Sequence, residues 1–245
     1  MKGYSGKVVY KPGQYGKRRL STAEWTSAQI QKWDSERQQA AQKPETKTIH
    51  PTICFSRKIG VGALEIADLL AEKLGYRVID REIMEHMASQ AELAEKTVQF
   101  FDERYPGKMS EFMSFLLGEK SFIKSDYARQ LAKSVFALAS LEPTIFVGRG
   151  AHLLLPRDKV LAVRFICSDP FRVKRVSEMM GINESEAKER LGQIDKEQRD
   201  FFKNMYDKKD AVPYEFDLVI NRDHIGDSAK VAAIVACAFE QKFKK

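Results

Sequence analysis

Apolar residues in this chain fall into two alternating patterns. Short unbroken runs near residues 52–55, 76–79, 144–147, 160–166 and 217–220 read as buried strands. Between them, apolar positions recur every three or four residues near 63–74, 81–94, 121–141, 169–180, 184–206 and 227–243, which reads as helices. Such alternation predicts an α/β fold in three layers, a parallel five-stranded sheet with helices on both faces. No internal repeat is visible.

In a sheet of this kind, ligands bind beyond the carboxyl ends of the strands. The residues that follow each strand are therefore informative: Ser56-Arg57-Lys58, Asp80-Arg81, Gly148-Arg149-Gly150, Ser168-Asp169 and Asn221-Arg222. One rim carries Arg57, Arg81 and Arg149 with few acids, which is chemistry suited to an anion. The first strand, at Thr52, leads through Gly60 and Gly62 into a helical pattern, where backbone N–H groups can meet a phosphate. The G-x-x-x-x-G-K-[ST] pattern is degenerate, with Arg57, Ala63 and Leu64 where Gly, Lys and Ser/Thr are wanted. With no lysine there, Lys58, Arg57 or later arginines must supply positive charge. Ser56 and Asp80 are the candidates for helping to hold magnesium through water.

Composition and charge divide the chain. The 245 residues suit one domain of roughly 200 residues plus an extension. Residues 1–47 hold ten Lys/Arg against four Asp/Glu, a net +6; the remaining 31 basic and 30 acidic residues give +1 for 48–245. The extension opens glycine-rich and basic, a composition that predicts disorder. Ser21-x-x-Glu24 is a capping box for a helix to about Ala41 bearing Trp25, Ile30 and Trp33, and Lys43-Pro44 marks the boundary. This segment either docks its tryptophans on its own domain or a second copy, as in a homodimer, or binds nucleic acid or another anionic partner. No signal core or spanning stretch is present, which predicts a soluble cytoplasmic protein with no membrane partner. Cys54, Cys167 and Cys237 are widely spaced in apolar contexts and read as buried reduced thiols. His86, His152 and His224 lack metal-ligand spacing.

Four segments then resemble the successive motifs of the cytidylate kinase-like family, a nucleoside monophosphate kinase branch of the P-loop fold: Ile53–Ala63, Leu70–Ile83, Val147–His152 and Phe216–Asn221. The resemblance spans about residues 49–245 in the right order. It implies a three-layer P-loop kinase fold with a helical acceptor segment and a lid, using ATP and Mg²⁺ to phosphorylate CMP or dCMP. It places Ser56, Arg57, Lys58, Gly60 and Gly62 around the ATP phosphates, and Asp80 and Arg81 in the acceptor-holding segment. Gly148 and Arg149 match the start of a Gly-Arg-Asp motif that contacts the acceptor phosphate, with Gly150 in place of the Asp. Arg172 and Arg175 match lid arginines. Asp195 and Arg199 resemble the lid Asp and Arg, although the arginine usually stands where this chain has Gln198.

Other readings of the same residues remain open. Gly60 and Gly62 suit a plain strand-to-helix turn, Asp80 a helix cap, Asp195 and Arg199 a surface i,i+4 pair, and Arg149 a tie to a neighbouring carboxylate. Met109, Phe112, Met113, Phe115 and Leu116 suit a core stripe or a base pocket in the segment around 97–120. At the level of function, the alternatives are a P-loop kinase of another small metabolite and a nucleotide-binding regulatory module that has lost catalysis.

Overall fold

Five apolar segments pair side by side, all parallel, in the computed structural model, which describes residues 20–39, 50–119, 125–209 and 211–243. They are β1 (Thr52–Arg57), β2 (Arg77–Asp80), β3 (Thr144–Val147), β4 (Val160–Ile166) and β5 (Leu218–Asn221), in the order β2-β3-β1-β4-β5. The helices are α1 (Thr22–Gln39), α2 (Ala63–Leu74), α3 (Arg81–Ser89), α4 (Ala91–Arg104) and α5 (Lys108–Glu119), followed by α6 (Asp126–Leu141), α7 (Ala151–Leu154), α8 (Asp169–Met180), α9 (Glu184–Tyr206) and α10 (Ser228–Phe243).

Because strand side chains alternate between faces, β1 sends Ile53 and Phe55 to one side and Cys54 to the other. Ile53 and Phe55 join Ile145, Val147, Leu161 and Val163 under α2 and α10, through Leu64, Leu70, Val231 and Val235. Cys54 joins Phe146 and Ala162 under α3, α4, α5 and α6. A third, smaller core packs Ile59, just past β1, against Val176 of α8 and Ala187 and Leu191 of α9. That core fixes the α8–α9 hairpin over the end of β1.

The helix starts are set by short side chains, as capping requires. Asp80, Ser125, Ser168 and Asn183 each accept a hydrogen bond from the backbone N–H three residues on. The single helix expected over 81–94 is two, because Gln90 is extended (φ −99°, ψ 95°) and turns α4 back onto α6. The helix expected over 121–141 starts at Asp126, where Ser125 caps it; residues 120–124 lie outside the described residues. Met109, Phe112 and Leu116 are a core stripe, with Phe112 stacked 3.8 Å from Phe136, whereas Phe115 is exposed. Cys54 is buried, but Cys237 is exposed on α10, contrary to the expectation of three buried thiols. Among the described residues, no helix is long and apolar enough to cross a membrane.

The capping box forms as expected, with Ser21 N–H donating to Glu24 and Glu24 N–H donating to Ser21 Oγ. The helix it starts, α1, lies on its own domain. Trp33 is 4% exposed and stacks on Phe100 of α4, with ring centroids 5.1 Å apart. Lys32 and Arg77 both pair with Glu142, at 2.9 and 3.2 Å, and Arg104 pairs with Glu36 at 3.1 Å. Burial pushes Arg77 down to about 10, against the pull of Glu142. The glycine-rich start of the extension and the Lys43-Pro44 boundary lie outside the described residues.

Removing the Trp33 ring leaves a hole beside Phe100. Trp33→Ala is expected to lower unfolding free energy in urea by about 3 kcal/mol, the lower end for a buried Trp truncation. A change of less than about 0.5 kcal/mol, the range of surface substitutions, would show that α1 is undocked in solution.

Candidate functional site

β1 lies at the centre of the sheet, so the chain leaving it opens onto the carboxyl-end crevice. It turns into α2 through Gly60 (φ +91°) and Gly62 (φ +82°), backbone values that cost an L side chain about 1–2 kcal/mol. Space is also short. A Cβ at Gly60 would lie 3.1 Å from Arg172 Cβ, and one at Gly62 would lie 3.1–3.2 Å from the Arg175 guanidinium. Ala63, where the phosphate-loop pattern places lysine, is buried.

Neighbours hold the loop in shape. Arg222, fully buried after β5, donates to Val61 O (3.3 Å), Ile225 O (2.9 Å) and Ser228 Oγ (3.0 Å). The buried Ser56 hydroxyl accepts from Arg164 at 2.7 Å, and Gln198 Nε2 donates to Arg57 O at 2.9 Å. The result is a preformed cradle at the N-terminus of α2, where aligned N–H groups attract anions.

Beside it, β3 ends in three consecutive left-handed residues: Gly148 (φ +101°), Arg149 (φ +51°) and Gly150 (φ +68°). Arg149 is held there from α9. The Tyr206 hydroxyl donates to Arg149 O at 2.5 Å, and the Arg149 guanidinium lies over the Phe201 ring, 3.8 Å from its centroid. A Cβ at position 150 would come within 2.7–2.9 Å of the Tyr206 ring and hydroxyl. Real Cβ atoms do not approach so closely, so Tyr206 explains the glycine found where the resembled motif has aspartate.

The three rim arginines do converge. Arg149 meets the Glu85 carboxylate, and Arg81 Nε lies 3.6 Å from the same Glu85 oxygen. Arg57 Nη2 would lie 3.4 Å from a Cβ on Gly148. Burial, then repulsion from Arg81 and Arg57, pushes Arg149 down to about 9, which leaves it charged at neutral pH. The Nε groups of Arg81 and Arg149 are buried without a hydrogen-bond partner among the described residues. Asp80, 5% exposed, caps α3 by accepting from Ile83 N–H at 3.1 Å.

The α8–α9 hairpin forms the roof. Arg172 is 2% exposed and pairs bidentately with Asp195 at 2.8 and 3.0 Å. The i,i+4 pairing of Asp195 with Arg199 is therefore replaced by a bridge between helices. Arg175 pairs with Glu65 in the first turn of α2 and lies across Gly62. Lys58 and Arg199 are exposed, and with Arg164, Gln198 and Phe202 they line a cavity of about 150 Å³. The cradle at Gly60 and Gly62 fits a phosphate chain, and the surrounding cations fit its charge. Among the described residues, no three His, Cys, Asp or Glu side chains converge as a metal cage. Magnesium chemistry here would enter with the nucleotide, since Mg²⁺ is commonly held by substrate phosphates and few carboxylates.

Several residues of the site were not singled out by sequence. Glu85 carried one signal, its i,i+4 spacing from Arg81. Phe201 and Tyr206 read only as the apolar side of α9, and Arg164 lay inside a strand. Their roles depend on α9 crossing the end of β3, which no local pattern encodes. His152 is buried, 3.4 Å from Glu215.

The profile of the cytidylate kinase-like family matches residues 52–224, more than half of the chain. No curated protein matches it. Among solved structures, the chain resembles an uncharacterized protein from Eubacterium ventriosum ATCC 27560 with 18% identity, over 79% of this chain and 99% of that one, at TM-score 0.57. It also matches a shikimate kinase from Bacteroides thetaiotaomicron (12% identity, 79% and 98% covered, TM-score 0.39) and a dephospho-CoA kinase from Campylobacter jejuni (13%, 81% and 100%, 0.33). At 18% identity, the likeness to the Eubacterium protein is one of fold. The sheet order, the glycine loop between β1 and α2 and the matched span agree on a P-loop kinase fold, and the chain belongs to the cytidylate kinase-like family.

Proposed function

We propose that this chain transfers the γ-phosphoryl group of MgATP to a nucleoside monophosphate, with CMP or dCMP the preferred acceptor. The observation that carries the reading is the convergence of Arg57, Arg81 and Arg149 beside the glycine loop, with Glu85 the carboxylate that both Arg81 and Arg149 contact. Phosphoryl transfer needs little covalent help from the protein. It needs the two phosphates in line, water excluded and developing charge met by cations and N–H groups.

The residues divide that work. Ser56 to Gly62 and the first turn of α2 cradle the ATP phosphates, with Lys58 and Arg175 supplying charge in place of a loop lysine. Arg57, Arg81 and Arg149 grip the acceptor phosphate, with Gly148 leaving room and Asp80 fixing the start of α3. Arg172 and Asp195 brace the roof as a buried pair, and Arg199 faces the cavity beside Lys58. Arginine suits these places because its fork meets phosphate oxygens bidentately and stays charged. A second reading, a nucleotide-binding module without turnover, is favoured by Arg175 lying across Gly62 and by buried Ala63.

A coupled ADP-release assay with MgATP across monophosphates and small hydroxylated or phosphorylated metabolites separates the readings. Release with CMP or dCMP above all others supports the proposal. Release with another metabolite moves the acceptor class, and ATP binding without release supports the module. Arg149→Lys and Arg149→Ala are both expected to weaken CMP binding by about 1.5–3 kcal/mol, the range for hydrogen bonds to charged groups, with ATP affinity kept. Unchanged CMP affinity in folded variants would return Arg149 to a structural role. Gly62→Val is expected to abolish ATP binding in calorimetry and to cost about 1–2 kcal/mol of stability through its φ. Retained ATP affinity would make the turn structural only.

A further inference from the structure

Arg149 is immobilised from three sides: its left-handed backbone, the Tyr206 hydroxyl on its carbonyl and the Phe201 ring under its guanidinium. Glu85 is not held in this way. Its side chain is 32% exposed on α3, and one oxygen serves both Arg149 and Arg81. The Arg81 contact, at 3.6 Å, is too long for a hydrogen bond, and among the described residues the buried Nε donors of Arg81 and Arg149, like Glu85 Oε1 itself, have no hydrogen-bond partner. One Glu85 oxygen therefore lies against both arginines and Glu197 adds a further negative charge toward Arg149, yet the Nε donors stay without an acceptor among the described residues. Buried donors left unmet are costly, and a tetrahedral oxyanion offers more acceptors than a single carboxylate oxygen.

We propose that Glu85 is a specificity-determining residue that sits in the acceptor's phosphate seat as an internal counter-ion and must be displaced by the incoming group. This rests on the reading of the three-arginine cluster as that seat. A carboxylate-bearing ligand gains little by exchanging one carboxylate for another, so it is rejected. A phosphate dianion brings a second charge and enough oxygens to reach both Nε donors, so it displaces Glu85. Selection for phosphate thus comes from competition inside the chain as well as from attraction.

Calorimetric titration of inorganic phosphate, CMP and acetate into the full chain, Glu85→Gln and Glu85→Asp tests this. Removing the competitor is expected to tighten phosphate and CMP roughly tenfold in Glu85→Gln, the scale of one charged hydrogen bond, and to make acetate binding detectable. Glu85→Asp, whose shorter side chain reaches Arg149 poorly, is expected to fall between, and serves if the Gln variant does not fold. Phosphate should also raise the melting temperature of Glu85→Gln more than that of the full chain. Equal or weaker phosphate binding in the folded variants would overturn the proposal, because a residue that aligned the arginines would loosen the seat when removed. No phosphate binding by any form would overturn the seat itself. Tightened phosphate binding without CMP turnover would uphold Glu85 and reject only the nucleotide reading.

Discussion

Arg149 adopts a backbone conformation that non-glycine residues avoid, at a strain of about 1–2 kcal/mol, because the last turn of α9 holds it there. The rest of the site depends on that grip. The left-handed turn carries the Arg149 side chain off the end of β3 toward Arg81 and Arg57, and Phe201 gives its guanidinium a surface to lie on. The same contact requires glycine at 150, because Tyr206 occupies the space a side chain would need. A helix that begins in the roof, at Glu184, thus ends by shaping the turn after β3.

Charge is arranged in self-neutralised pairs around this frame. Arg172 is buried against Asp195, Arg175 lies with Glu65 over the glycine loop, and Arg149 and Arg81 share Glu85. Burying a charge without a partner is expensive, and the chain supplies its own anions. On the proposed reading, phosphate takes over the place of Glu85, whereas Arg172 with Asp195 stays as a brace. The missing loop lysine is then less decisive than the motif suggests, since Arg175 already lies across Gly62.

Much of the fold was legible because parallel strands buried on both faces write themselves as continuous apolar runs. Strand β3 and helices α2, α8 and α9 begin and end where their apolar periodicity and caps place them. The break at Gln90 was not legible, since neither Gly nor Pro marks it and the turn serves packing of α4 on α6. The convergence of Arg57, Arg81 and Arg149 followed from strand ends alone, because topology sends those ends to one rim. Their partners did not follow. Glu85, Phe201 and Tyr206 act across long sequence separations, and Asp195 found Arg172 on another helix in place of its neighbour in sequence.

In the proposed phosphate seat, Arg149 and Arg81 turn Nε–H groups that have no hydrogen-bond partner among the described residues toward an anion. Nitrogen-edited NMR of the arginine Nε–H signals during titration with inorganic phosphate measures it directly, with assignments from Arg149→Lys and Arg81→Lys. These two signals are expected to shift downfield together and saturate with one affinity, as a phosphate oxygen accepts from each. Saturating phosphate binding that leaves both signals in place would contradict it.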